Sequence, residues 1–297
     1  AIAGESLTAT LDPDRGAGIF ALHLLSAGES MPLMPRVGDP SYDRDSSCFL
    51  MMPYSNRIEN GEFRFSNRKY QLQGSADHAI HGDVRRRPWT TEESGPGHAT
   101  FGFDSRQQRQ VNWPWPFAAR AEYRISEYTF SSRLTLWNRG DEPMPAGLGW
   151  HPFFSRRLRP GEDGVRLCFK TPAIYPDIND TRIPSGPPRP TETEEDFTRE
   201  RSLPTDLAID SCYRGYDGGG YLVWPQSGVR LEFDCSSVCG HLIVFNPVSR
   251  PYFAIEPVSH ANNGVNLLAA GDDGCGMRVL QPGEALEAQL DLKVSGT

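Results

Sequence analysis

Two side chains in this sequence combine proton-transfer chemistry with apolar company. His151 lies in the stretch Gly147-Leu148-Gly149-Trp150-His151-Pro152-Phe153-Phe154. Imidazole titrates near neutral pH, so a histidine beside a cleft suits general acid–base work; the same surroundings also suit a hydrogen-bonded structural histidine. Pro152 lacks a backbone donor, which predicts a strand end here, at a cleft. Glu256 closes the apolar run Phe253-Ala254-Ile255 and precedes Pro257. A carboxylate there either faces water at a strand end, pairs with an arginine, or is desolvated with its pKa raised. The last state makes a general base tuned toward neutrality.

Three further clusters mix polar groups with turn residues. Pro53-Tyr54-Ser55-Asn56-Arg57-Ile58 offers an amide and a guanidinium, and the multi-donor fork of Arg57 can anchor hydroxyl groups or pair with a surface acid. Asp77-His78-Ala79-Ile80-His81-Gly82 holds two histidines, but no third ligand follows at a recognisable metal spacing, so no metal is expected. Leu207-Ala208-Ile209-Asp210-Ser211-Cys212-Tyr213 again sets an acid, Asp210, at the end of an apolar run. The run Arg85-Arg86-Arg87 reads as a solvated turn face, with a phosphate site as the alternative. His23, His98, His241 and His260 lack supporting company and read as structural or surface groups.

The elements that must position these groups are strands. Apolar and charged residues alternate through 119–125, 229–234 and 286–294, which puts one face of each into a core and the other into water. Further strands are predicted at 7–11, 19–25, 62–65, 99–103, 129–137, 165–169 and 241–245. Asn60-Gly61 separates two extended runs, and Asp217-Gly218 opens a glycine run. The one helix candidate is short, at 264–270. Residues 172–204, with Ser185-Gly186-Pro187-Pro188 and the acidic run 192–196, read as a solvated surface loop. Many strands and almost no helix predict a large all-β sandwich or barrel, taken here as a single domain over 1–297.

Bulk properties narrow the function classes. Thirty basic and 38 acidic residues give a formal net charge of −8, so nothing in the charge favours nucleic acid or an anionic membrane as partner. Apolar runs are too short to span a bilayer and the first residues do not read as a secretory signal. Six scattered cysteines in a chain of this size read as buried free thiols in a reducing cytoplasm. The expected state is a monomer or homodimer.

Taken in order, the clusters resemble the aldose 1-epimerase (galactose mutarotase) family. The matching pieces are Asn56-Arg57-Ile58 with Gly61 and Phe63, then His81-Gly82 with Trp89. Gly149-Trp150-His151-Pro152-Phe153-Phe154, Ile209-Asp210, Ile255-Glu256-Pro257 and the pair Asn262-Asn263 follow. The resemblance implies a large antiparallel β-sandwich with a shallow cleft on one concave sheet, and an isomerase that needs no cofactor. It implies Glu256 as general base, His151 as general acid and His81 as a hydrogen-bonding assistant, with Arg57, Asp210 and Asn56 binding a small sugar. The sequence departs from the family after His81-Gly82, where Asp83-Val84-Arg85-Arg86-Arg87 replaces a common further glycine. Residues 49–55 lack the Gly-Gly and Trp-Pro features of hexose-6-phosphate 1-epimerases, so an unphosphorylated sugar is expected. The alternatives are a hexose-6-phosphate 1-epimerase and a non-catalytic carbohydrate-binding β-sandwich.

Overall fold

The computed structural model describes residues 1–73, 78–162 and 164–296. Among these, two large antiparallel sheets dominate. The first has eleven strands. Its path runs through Ile2–Ala3, Leu7–Asp12, Gly18–Ser26, Cys48–Met51, Gly149–Ser155, Tyr252–Val258, His241–Asn246, Ile209–Arg214, Ala173–Ile174 and Arg189–Pro190, with Glu29–Met34 branching off Gly18–Ser26. The second has nine strands, ordered Thr90–Gly95, His98–Asp104, Phe117–Ser126, Thr129–Asn138, Ala285–Gly296, Val229–Cys235, Gly219–Trp224, Arg166–Phe169 and Arg201–Ser202.

Side-chain alternation explains how the two sheets stack. In His98–Asp104 every second residue is buried, and in Phe117–Ser126 Ala119, Ala121, Tyr123 and Ile125 face inward. These sides meet the inward residues of the first sheet in one contiguous core that includes Trp150, Phe154, Phe233 and Leu290. Two indole N–H groups that enter this core are paired across it. The Trp150 indole N–H donates to Ser132 Oγ at 2.9 Å, and the Trp224 indole N–H to the Ser155 carbonyl at 2.9 Å. Unpaired, each buried donor would cost about 1–3 kcal/mol.

The centre of the eleven-stranded sheet is different, because it is buried on both faces. Every residue of Gly149–Ser155 and of Tyr252–Val258 is buried. Trp150, Phe154, Phe253 and Ile255 go to the intersheet core, whereas Phe153, Tyr252, Ala254 and Val258 join a second apolar cluster on the opposite face, with Phe49, Met51 and Ile243. Loops cover that opposite face, and the polar cleft lies among them.

The expected strands and the short helix, observed as Gly264–Ala269, are present. The free-cysteine expectation also holds: all six are free, and all but Cys168 are buried. Two expectations need correction. Pro152 does not end a strand; it pairs with Cys48 and the strand continues to Ser155. Residues 172–204 are not a merely solvated loop. Ile174, Tyr175, Ile183, Phe197 and Leu203 are buried, and Phe197 bonds both ways, accepting from the Phe169 amide at 2.8 Å and donating to Thr171 Oγ1 at 3.2 Å. Apolar residues spaced irregularly through a Pro-rich stretch carry no period, so their burial was invisible in sequence.

Candidate functional site

Gly149–Ser155 and Tyr252–Val258 are the fifth and sixth of the ten strands along the first sheet's path. The pairs Gly149 with Val258 and Phe153 with Ala254 keep one register, so His151 stands directly across from Glu256. Directly opposed side chains on one face have Cβ atoms about 4.5–5.5 Å apart, close enough to touch. His151 Nε2 lies 3.1 Å from Glu256 Oε1. A proline follows each of the two residues, so neither Pro152 nor Pro257 can donate to the ladder beside the pair.

The pair forms the floor of a cleft of about 290 Å³, whose walls include Asn56, Arg57, His81, Arg85 and Asp210. Phe49 and Phe153 flank the imidazole, with ring centroids 4.3 and 4.5 Å away, and the His81 ring meets it edge-on at 5.2 Å. His151 is 8 % and Glu256 only 2 % exposed.

Segments 56–59 and 78–82 and the first-sheet strand Ile209–Arg214 bring the remaining groups in. Arg57–Glu59 pairs with His78–Ile80, and the His81 amide donates to the Asn56 carbonyl at 2.8 Å. Asn56 and His81 both take left-handed backbone conformations, with φ of 51° and 64°. Gly82 follows with φ of 65°, and a Cβ there would collide with the Met52 carbonyl oxygen. Glycine is therefore required at the step that turns His81 inward. His260 fixes the other side of this corner: its Nε2 accepts the Ser55 amide at 2.8 Å, and its Nδ1 donates to the Ala261 carbonyl at 2.7 Å. Asp210 sits at the cleft edge, 3.9 Å from Arg57 and bonded at 2.8 Å by Arg182 Nε.

Burial sets the electrostatics of the floor. Desolvation first, and then the charge of Asp210, push the Glu256 carboxyl well above its usual range, although Arg57 and the Asn56 amide oppose this. Desolvation first, and then the guanidinium groups of Arg85, Arg44 and Arg57, depress His151 from 6.5 to about 3, against a backbone hydrogen bond that raises it. His81 is also held well below 6.5, by burial and by its neighbours His151, Arg85 and Arg57. Both shifts in the central pair favour its uncharged form, a carboxyl beside a neutral imidazole. The pair holds one proton between two acceptors. Among the described residues Glu256 Oε2, His151 Nδ1 and Asn56 Nδ2 are buried without a hydrogen bond of normal geometry, the Asn56 amide lying near the carboxyl without closing on it, so the floor presents open valences to a polar ligand.

Residues 13–293 match the aldose 1-epimerase family model. The chain belongs to the aldose 1-epimerase family. It is 24 % identical over 260 residues, 84 % of each chain, to the uncharacterised protein YphB of Escherichia coli K12. Its fold matches that of a galactose mutarotase-like protein from Clostridium acetobutylicum, with a TM-score of 0.88, 18 % identity and coverage of 99 % of this chain and 94 % of that one. It matches the GalM/aldose epimerase homologue from C. elegans with a TM-score of 0.81, 18 % identity and coverage of 100 % and 98 %. The large antiparallel sandwich implied by the resemblance is the galactose mutarotase-like fold observed.

Within this aldose 1-epimerase scaffold, all six residues singled out in the sequence, Glu256, His151, His81, Arg57, Asp210 and Asn56, line one cleft. Asp77, named with the His78–His81 cluster, lies outside the described residues. His78 is not in the cleft; its Nδ1 accepts the Asn60 amide at 3.0 Å. Among the described residues no His, Cys, Asp and Glu cluster is arranged to hold a metal, and no helix is long and apolar enough to cross a membrane.

Sequence reasoning missed four contributors. Arg182 comes from the stretch read as a surface loop and shares Asp210 with Arg57. Phe49 pairs with His151 across the sheet. His260, read as having no supporting company, braces the Ser55-Asn56 corner. Arg85 was read as part of a solvated turn face; instead its guanidinium lies 4.9 Å over the Phe49 ring, at the cleft wall. Only Arg87 and Arg86 behave as local ion-pairing residues, with Asp83 at 2.7 Å and Asp45 at 3.0 Å.

Proposed function

We propose that this chain interconverts the α and β anomers of a free reducing aldose by acid–base ring opening. The observation that carries the reading is the His151–Glu256 contact, 3.1 Å long, buried at the floor of a cleft of monosaccharide scale. A purely sugar-binding protein has no need for a buried carboxyl and imidazole that share one proton.

Ring opening removes a proton from the anomeric hydroxyl and adds one to the ring oxygen. Glu256 as carboxylate takes the first, and His151 as imidazolium gives the second. The C1–O5 bond breaks as O5 gains its proton, and the O1 electron pair becomes the aldehyde carbonyl. Rotation about C1–C2 presents the other face, and the same two groups act in reverse to close the ring. Protons balance over the cycle, and no redox step occurs.

The environment suits these roles. A base is stronger when its conjugate acid is harder to ionise, and an acid is stronger when its pKa is depressed; burial does both here. The charge-separated pair needed for opening is reached by proton transfer along the existing contact. Opening then leaves the pair uncharged, the form that desolvation favours. Arg57, Asp210, Asn56 and His81 would hold sugar hydroxyls so that C1 and O5 straddle the pair, and orientation of this kind adds to the rate.

The test is anomer exchange on a panel of aldoses, followed by magnetisation-transfer NMR or polarimetry. Catalysed exchange of at least one aldose is expected. Binding of sugars with no acceleration of exchange would return the protein to the carbohydrate-binding class.

A further inference from the structure

Beyond Glu256 the first sheet continues away from His151, through His241–Asn246, Ile209–Arg214 and Ala173–Ile174. Residues of these strands, with the segment 175–184, line a second chamber of about 600 Å³, against about 290 Å³ for the cleft of the His151–Glu256 pair. Asp210 and Phe245 line both spaces, so the two adjoin. Asp210 is approached from both: Arg57 of the cleft lies 3.9 Å away, and Arg182 of the chamber bonds it at 2.8 Å. Anomer interconversion needs one sugar ring at the pair and leaves the chamber without a role.

The lining states what fits. Arg182 pairs with Asp177, Asp180 and Asp210, and Arg189 with Glu195 at 2.8 Å. Both guanidinium groups of the lining are thus engaged and its acids outnumber them, so an anion is repelled. Apolar surface comes from Tyr175, from Phe245 and from Ile178, which is 82 % exposed. Asn262 is only 4 % exposed; its Nδ2 donates to the Arg182 carbonyl at 2.7 Å, while its buried Oδ1 has no donor among the described residues. A buried acceptor without a donor is open to one from a ligand. A neutral sugar ring brings hydroxyl donors at its edge and C–H faces for the apolar side chains.

We propose that the chamber is a second sugar subsite, and that the substrate is a neutral reducing disaccharide whose second residue is attached to O2 or O3 of the reacting ring. The proposal rests on the anomer-interconversion reading. With O1 at Glu256 and O5 at His151, C2 and C3 follow C1 on the Glu256 side, whereas C5 and C6 lie on the His151 side. A group on O2 or O3 is therefore directed over Asp210 into the chamber. A group on O6 points the opposite way, and one on O4 rises from the floor. Size separates a sugar from a smaller substituent, since a space about twice that of the cleft receives a whole ring.

The experiment measures anomer exchange with the intact protein, by magnetisation-transfer NMR, on glucose and on its disaccharides. These are sophorose and kojibiose (2-linked), laminaribiose and nigerose (3-linked), cellobiose (4-linked) and gentiobiose (6-linked). At least one 2- or 3-linked disaccharide is expected to exceed glucose in kcat/KM by about tenfold or more, through a lower KM, the worth of a buried hydrogen bond and a covered apolar face. The 4- and 6-linked sugars should show no gain. Ala208 lines the chamber but not the cleft and is exposed. Ala208→Trp should therefore return the favoured disaccharide to the level of glucose and leave glucose itself unchanged, which also reports that the variant is folded. No gain for any 2- or 3-linked disaccharide, a gain confined to the 4- or 6-linked ones, or a gain that survives Ala208→Trp overturns the subsite, while exchange of glucose keeps the anomer reading standing. If no aldose and no disaccharide exchanges, that reading fails, and calorimetric titration with the same sugars decides the remainder. Binding of a 2- or 3-linked disaccharide above that of glucose, lost in Ala208→Trp, then upholds the subsite, and its absence overturns it.

Discussion

Replacing Glu256 with glutamine should change how stability depends on pH, and the change can be worked from the buried pair. In the folded protein Glu256 titrates well above its ordinary 4.5, and His151 titrates at about 3 instead of 6.5. Between pH 4.5 and 6.5, as long as the raised Glu256 carboxyl stays protonated, the folded pair holds one proton, on the carboxyl. The unfolded pair also holds one, on the imidazole. Equal proton counts mean that this pair contributes no slope in that window. Below pH 4.5 the unfolded chain gains a second proton and stability falls. Glu256→Gln leaves His151 alone. A depressed pKa gives stability that is present above 6.5 and lost as pH falls through the folded value, at about 1.4 kcal/mol per pH unit. The variant should therefore lose on the order of 2 kcal/mol relative to wild type between pH 6.5 and 4.5. Urea denaturation of both proteins at pH 4.5, 5.5 and 6.5 reads this directly, because every other titrating group cancels in the difference. A difference that stays constant across the window would refute the claim that burial holds His151 neutral. Anomer exchange in the same variant should fall by about 10²–10⁴-fold, the contribution of one positioned acid or base.

Other consequences follow from the walls of the cleft. Asp210→Asn removes the negative charge that helps to hold Glu256 protonated, so the alkaline limb of the kcat/KM profile should move to lower pH, while KM rises as Arg57 and Arg182 lose their shared acid; a pH–rate series on one aldose checks both. Gly82→Ala forces a side chain into a left-handed position against the Met52 carbonyl and should cost more than about 1 kcal/mol by calorimetry, with a loss of exchange because His81 moves. His260→Ala strands the buried Ser55 amide; it should destabilise the fold by roughly 1–3 kcal/mol and weaken sugar binding through Asn56.

The all-β architecture was legible because its evidence is periodic, and the resemblance narrowed sandwich or barrel to sandwich. Alternation through Phe117–Ser126, Val229–Cys235 and Ala285–Gly296 states which residues face the core, and turn residues mark the ends. The individual site residues were also visible, since a histidine and a glutamate in apolar runs violate that same pattern. Their contact was not. His151 and Glu256 meet because two distant strands become neighbours, and local sequence encodes strands without encoding their order. Pro152 was misread for a related reason: a missing donor usually marks an edge, yet here it sits in a strand at the sheet's centre. Arg85 and Arg182 were missed because their roles depend on where loops pass in space. An arginine in a charged run looks the same whether it points to water or lies over a phenylalanine.

The two side chains proposed to react, His151 and Glu256, stand on adjacent strands of one sheet, whereas Asn56, Arg57 and His81, proposed to hold the sugar, lie outside that sheet. Neighbouring strands are about 4.8 Å apart in any sheet, so the distance between donor and acceptor is fixed by the backbone lattice itself. The segments around Asn56, Arg85 and Arg182 are under no such constraint. Changing their length or composition re-cuts the mould for the sugar while the spacing of the chemistry stays untouched, which makes this architecture suited to redirecting one reaction to new carbohydrates by loop exchange alone.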